Sequence, residues 1–164
     1  MRYTAAVITV SDKCSRGERV DTCGPMLCTL LAQNECEVVQ RALVPYEKEQ
    51  IQAAIRHAAD ELHVQLILTT GGTGFSPRDI TPEATAELIE RATPGLPELM
   101  RSESCKITPR GCLSRGIAGI RGSSLIVNLP GSPKAVKENL SFILPTLEHG
   151  IAILVGDDGE CARP

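Results

Sequence analysis

Two kinds of apolar run alternate along this chain. Thr4 to Val10 is nearly all apolar and β-branched, which predicts a strand buried on both faces. Ser11 to Asp21 is polar and contains Gly17, so it reads as a loop. Asp21 or Thr22 then caps a helix running to about Glu35, with Pro25 tolerated in its first turn. Glu37 to Val44 reads as a second strand, ended by Pro45. From Glu47 to Glu61, Ile51, Ala54, Ile55 and Ala58 fall on one stripe that Leu62 continues, the spacing of an amphipathic helix. Val64 to Thr70 is a third strand, largely apolar until its hydroxyl-bearing end.

Strand, helix, strand, helix, strand predicts right-handed crossovers and a parallel sheet. Gly71 to Ile80 follows as a glycine-dense loop. Thr81 as N-cap and Pro82 at the first helical position open a helix that Thr93-Pro94-Gly95 breaks, and a further helix covers Leu96 to Ser104. Ile117 to Arg121 and Ser124 to Asn128, split by Gly122-Ser123, have the spacing of a β-hairpin. After the turn Leu129-Pro130-Gly131-Ser132, a helix runs from Pro133 through Leu140, and Pro145 opens a last one to about Leu154. The predicted fold is α/β: a three-layer sandwich with a mainly parallel sheet, helices on both faces and a small β-hairpin. Residues 1–155 form one domain and 156–164 a polar tail.

Composition narrows this picture. A chain of 164 residues suits one sizeable core. With no Trp, two Tyr and two Phe, that core is built from Ile, Leu, Val and Ala. A formal net charge of −3 argues against a protein that grips nucleic acid through its phosphates. No apolar run is long enough to span a membrane. Met1-Arg2-Tyr3 leads straight into a strand, so no secretory signal is read and a cytoplasmic location is expected. The seven cysteines are odd in number and form no Cys-x-x-Cys, the pattern of reduced thiols acting as small apolar residues. A zinc site from Cys23, Cys28 and His57 would match no standard spacing.

The most informative stretch is Thr69-Thr70-Gly71-Gly72-Thr73-Gly74-Phe75-Ser76-Pro77-Arg78-Asp79-Ile80-Thr81. It follows a buried strand and precedes a helix, where open parallel sheets bind their ligands. Gly71, Gly72 and Gly74 let the backbone turn sharply and aim successive N–H groups at one spot, a cradle for phosphate. Arg78 can pair bidentately with phosphate oxygens, and Asp79 supplies the carboxylate that Mg²⁺ needs beside a phosphate. The Walker pattern is absent. Gly72-Thr73-Gly74 begins a dinucleotide fingerprint, but Pro77 stands where its third glycine belongs. A plain strand-to-helix turn would need neither Arg78 nor Asp79.

Two further strand ends carry candidates. Asn128-Leu129-Pro130-Gly131-Ser132-Pro133-Lys134 offers backbone N–H groups at Gly131 and Ser132 with Lys134 nearby, a second anion site or simply a helix-opening turn. Thr9-Val10-Ser11-Asp12-Lys13 ends the first strand, and Ser11 and Asp12 can hydrogen-bond a polar heterocycle or merely cap a loop.

Together, Ser11-Asp12, the Thr69-to-Gly74 run, Arg78-Asp79-Ile80-Thr81-Pro82-Glu83-Ala84-Thr85 and Leu129-Pro130-Gly131-Ser132-Pro133 resemble the molybdopterin adenylyltransferase family, which includes the MogA/MoaB type and the G domain of gephyrin. The similarity runs from about Tyr3 to Leu154. It implies a homotrimer in which a molybdopterin phosphate attacks the α-phosphate of ATP, pyrophosphate leaves, and a molybdate-insertion enzyme receives the adenylylated product. Mg²⁺ would assist, with ATP as co-substrate. Carried over by position, Asp79 is the acid near metal and reacting phosphates, Gly71, Gly72, Thr73 and Gly74 cradle phosphate, Gly131 and Ser132 bound the pterin side, and Ser11 and Asp12 line the pocket. One position departs. Family members that turn over carry Pro-Asp-[Asp/Glu] after the second strand, whereas this chain reads Pro45-Tyr46-Glu47. A neutral phenol is a poorer Mg²⁺ ligand than a carboxylate. Either Glu47 substitutes as a catalytic acid, or the chain holds pterin without turnover.

Overall fold

A computed structural model describes residues 3–157. Strands β1 (Tyr3–Val10), β2 (Cys36–Val44), β3 (Leu66–Thr70), β4 (Arg91–Ala92), β5 (Ala118–Arg121) and β6 (Ser124–Leu129) form one sheet in the order β2-β1-β3-β6-β5-β4. β2, β1, β3 and β6 run parallel, and β5 pairs antiparallel with both β6 and β4. The β5–β6 pair is the expected hairpin, turning at Gly122, whose φ is +54°. β4 is too short to leave a periodic signal.

Helices α2 (Cys23–Gln33), α5 (Gly95–Ile107) and α6 (Pro133–Val155) cover one face of the sheet. Leu27, Leu31, Met100, Leu140, Ile143 and Leu147 pack there against Val7, Leu66, Leu68 and Val127. Helices α3 (Lys48–Arg56) and α4 (Thr81–Ala86) cover the other face, where Ile51, Ile55, Ala84 and Leu88 meet Ile8, Ile67 and Ile126. Successive strand residues therefore supply opposite cores, which is why β1 and β3 carry apolar residues on both faces. The three-layer α/β sandwich is as the sequence predicts.

Several local expectations change. The stretch after β1 is not all loop, because Asp12–Ser15 forms a short helix, α1, capped by the Ser11 hydroxyl. Asp21 rather than Thr22 serves the start of α2: its carboxylate accepts from Gly24 N at 3.0 Å and from the Thr9 hydroxyl at 2.9 Å. α3 continues as one wide turn, His57–Glu61. Thr81 does not cap α4 with its side chain; it lies inside the helix, and its hydroxyl donates to Gly71 O at 2.9 Å. Pro145 opens no new helix, because α6 runs unbroken through it to Val155 and ends on Gly156 at φ +78°. Buried Val136, Leu140, Ile143, Leu147 and Ile151 form a continuous stripe, and Pro145 sits on the exposed side, where water can serve the carbonyl it leaves unpaired. Cys23 and Cys28 pack on the α2 face while the helix carrying His57 covers the other, so the sheet separates the residues of the imagined zinc site. Most of the polar tail lies outside the described residues.

Candidate functional site

Between β1 and β3 the chain reverses its direction of travel across the sheet, since β2 lies to one side of β1 and β3 to the other. Strands that diverge this way leave a crevice beyond their carboxyl ends. The ends of β1, β3 and β6 surround that crevice, and it opens into a cavity of about 830 Å³ lined by Gly71, Gly72, Thr73, Gly74, Asp79, Gly131 and Ser132, among others. A recess of about 140 Å³ beside it is lined by Thr9, Ser11, Cys14, Asp21, Cys23 and Thr70. Tyr46, Arg19, Gly71 and Gly131 line both.

The glycine loop is held in a narrow passage. Gly71 has φ +102° and Gly72 φ +71°, conformations that favour glycine. A Cβ on Gly72 would meet the Thr81 hydroxyl at 2.2 Å, and one on Gly131 would stand 3.3 Å from Gly71 Cα, so the two turns touch backbone to backbone. Gly71 N donates to Leu129 O at 3.2 Å, and the Thr70 hydroxyl donates to Pro130 O at 2.7 Å. Below them, buried Asn128 donates to the hydroxyls of Thr69 at 2.9 Å and Thr85 at 3.0 Å, and accepts from Ile117 N at 3.2 Å. The amides of Gly72, Thr73, Gly74 and Phe75 have no acceptor among the described residues. A row of unclaimed amides beside a cavity is an anion cradle.

Asp79 lines the cavity, and one of its oxygens accepts from Ser76 N at 3.0 Å. Its other oxygen remains for a ligand. Arg78 is engaged elsewhere. Its guanidinium donates to Asp12 at 2.6 and 3.2 Å, to Glu47 at 2.9 Å and to the Tyr46 carbonyl at 3.2 Å. Arg78, Asp12 and Glu47 do not line the cavity. The Arg78 bond holds the Asp12 carboxyl below the usual range, and the two acids raise the guanidinium's pKa. Asp12 also accepts from Tyr46 N at 2.9 Å, so Asp12 and Arg78 together grip both backbone groups of Tyr46. The Tyr46 ring comes within 3.3 Å of the place a Cβ would take on Gly72. Burial first, then Asp79 and Asp12, push its phenol above its usual 10.0, so it stays protonated at neutral pH.

Other predicted positions serve the frame. Ser11 and Ser132 line the recess and the cavity respectively, yet their hydroxyls cap α1 and α6. Lys134 is exposed, 3.9 Å from Glu138, and does not reach the cavity. The cations that do line it are Arg19, Arg101 and Arg110, none singled out by the sequence, because no glycine or strand end marks them. Phe75 stands at the mouth, 70 % exposed. No cluster of three or more His, Cys, Asp or Glu suited to a metal occurs among the described residues. One carboxylate nevertheless fits Mg²⁺, which keeps several waters and takes its remaining ligands from substrate phosphates.

With this geometry in hand, comparison with known proteins is specific. A family pattern described as a probable molybdopterin binding domain matches residues 6–149. The chain is 38 % identical to a molybdopterin adenylyltransferase of Helicobacter pylori, over 92 % of this chain and 87 % of that protein. It is 45 % identical over 98 % of its length to the Drosophila melanogaster molybdenum cofactor synthesis protein cinnamon, of which it spans only 27 %. It likewise spans 22 % of Dictyostelium discoideum gephyrin. Among solved structures, the molybdopterin biosynthesis enzyme MoaB of Thermus thermophilus superimposes with a TM-score of 0.90 at 49 % identity, covering 94 % of this chain and 97 % of that one. A MogA structure does so with 0.87 at 35 %, covering 92 % and 99 %. The chain belongs to the molybdopterin-binding family of molybdenum-cofactor biosynthesis, alongside the MogA/MoaB proteins, gephyrin and cinnamon.

Proposed function

We propose that this chain adenylylates molybdopterin: a phosphate oxygen of the pterin attacks the α-phosphorus of ATP, the bond to the β-phosphate oxygen breaks, and pyrophosphate leaves. The observation that carries this reading is the glycine loop, four unclaimed amides on a cavity of about 830 Å³ that Asp79 also lines. Gly72, Thr73 and Gly74 hold phosphate through backbone N–H groups, whereas the Gly71 amide, expected in that cradle from the sequence, is taken by Leu129 O. Arg19, Arg101 and Arg110 offset the charge of the two substrates. The turn at Gly131 and Ser132 bounds the pterin side, and Lys134 contributes long-range charge only. Asp79 would hold Mg²⁺, which when bound neutralises charge on the reacting phosphates. Catalysis is then mostly positioning and charge stabilisation.

Tyr46 divides two versions of this reading. In the first, the chain turns over with a protonated phenol in place of the family's carboxylate, and Glu47 serves as the second acid once released from Arg78. In the second, it binds and presents molybdopterin without chemistry, which the neutral Tyr46 and the engaged Glu47 favour. Pyrophosphate release from ATP and molybdopterin separates them. Release supports the first. Tight pterin binding with no release, and release on Tyr46→Asp, supports the second. We further propose that the chain works as a cytoplasmic homotrimer and hands its product to a molybdate-insertion enzyme, a reading that rests on family resemblance.

A further inference from the structure

A second arginine, as extensively bonded as Arg78, stands near the cavity without lining it. Arg115 lies between the turn Pro109–Leu113 and β5. Its backbone N donates to Thr73 O at 2.8 Å, its Nε to Gly74 O at 2.7 Å and its Nη2 to Asp79 O at 2.7 Å. Its Nη1 donates to the carboxylate of Glu83 in α4. Residues 73–79 belong to no helix or strand. Among the described residues, the only bonds tying their backbone to the rest of the molecule are these three from Arg115. A loop of that length left untied would populate many conformations, each aiming its amides differently.

The direction of the tie matters more than its existence. In a trans peptide the C=O of one residue and the N–H of the next point opposite ways, and no cis bond occurs among the described residues. Drawing Thr73 O and Gly74 O onto Arg115 therefore turns the N–H groups of Gly74 and Phe75 away from it. Those two amides are among the unclaimed ones, and both residues line the cavity. Glu83 anchors the fork on its far side, fixing the guanidinium plane against α4.

We propose that Arg115 is a positioning residue that aims the Gly74 and Phe75 amides at a phosphate group bound in the cavity, acting wholly through the carbonyls it holds. The inference rests on the phosphate-cradle reading above. A side-chain substitution removes the Nε and Nη bonds but leaves the backbone bond to Thr73 intact, so the start of the loop keeps its path.

The test uses the full chain, uniformly labelled with ¹⁵N, with inorganic pyrophosphate as probe. In the natural protein, pyrophosphate should move the Gly74 and Phe75 amide resonances downfield. Arg115→Gln should lose most of the Phe75 shift, keep more of the Gly74 shift because the backbone bond to Thr73 O survives, and weaken pyrophosphate binding about ten-fold, the scale of one charge-assisted hydrogen bond. Arg115→Lys keeps the charge without the fork and should bind at an intermediate level. Glu83→Gln should weaken binding in the same direction and less. Thermal midpoints, measured alongside, identify a variant that has lost its fold, in which case Arg115→Lys carries the decision. Equal affinity and equal amide shifts in the natural protein and the folded variants would overturn the role of Arg115 while leaving the cradle standing. A natural protein that binds no pyrophosphate would overturn both.

Discussion

A Cβ on Gly71 would stand 2.3 Å from the carbonyl oxygen of Val10. The glycine loop thus passes directly over the end of β1, at a φ of +102° that side chains rarely adopt. Clash and strain act together here, so Gly71→Ala should lower stability by about 3 kcal/mol in urea unfolding. Gly122 is the control. Its φ is +54° but nothing lies within 4 Å of a Cβ, so Gly122→Ala should cost about 1 kcal/mol. Equal losses would show that close approach to Val10 is unimportant.

Asp79 separates chemistry from folding. An asparagine at this position can still accept from Ser76 N through its amide oxygen, so Asp79→Asn should leave the unfolding midpoint nearly unchanged. Pyrophosphate release should fall by about 100-fold or more, the scale of a lost transition-state charge contact. An unaltered rate with an unaltered midpoint would remove Asp79 from the reaction.

Both tyrosines resist ionisation. Burial lifts the Tyr3 phenol to about 12, and Tyr46 is also raised above 10.0. Ultraviolet titration should therefore show much less than half of the tyrosine ionised at pH 10. The unfolded chain gives up these protons near 10 while the folded chain keeps them, so stability falls as pH rises from 10 towards 12. Tyr3→Phe should remove on the order of 2 kcal/mol of that alkaline loss. A normal tyrosine transition centred at 10 in the folded protein would contradict this.

Asn128 is 1 % exposed and serves Thr69, Thr85 and Ile117 at once. Asn128→Leu leaves the Ile117 N–H without its acceptor, and should cost about 3 kcal/mol. The loss should appear in denaturant unfolding whether or not a ligand is present. A neutral substitution would mean that water replaces the amide.

Pro145 interrupts the hydrogen-bond ladder of α6 at an exposed position. Pro145→Ala restores the N–H that reaches the Ser141 carbonyl, and should raise stability by about 1 kcal/mol or more. A lowered midpoint would indicate that the proline shapes the helix to fit Leu147 and Ile151.

Much of the architecture was legible because each element advertises itself locally. β1 and β3 read as buried strands from largely apolar runs, and α3 as a helix from the spacing of Ile51, Ala54 and Ile55. Gly71 to Gly74 announced a sharp turn at a strand end. The continuity of α6 was not legible, because Pro145 is a strong local stop that only the buried stripe on the opposite side overrides. The partners of Arg78 were not legible either. Nothing near residue 78 says that Asp12 and Glu47 come close enough to take its guanidinium.

Taken alone, the chain's order of residues determined the alternation of strands and helices, the layering about a parallel sheet and the strand ends where glycine and acid meet, since periodicity and turn chemistry act over a few residues. Tertiary structure alone decided that Arg78 faces acids instead of a ligand, that Arg19, Arg101 and Arg110 gather on one cavity, and that Arg115 holds the glycine loop. Those relationships join residues dozens of positions apart, and they exist only once the crossovers have brought the strand ends together.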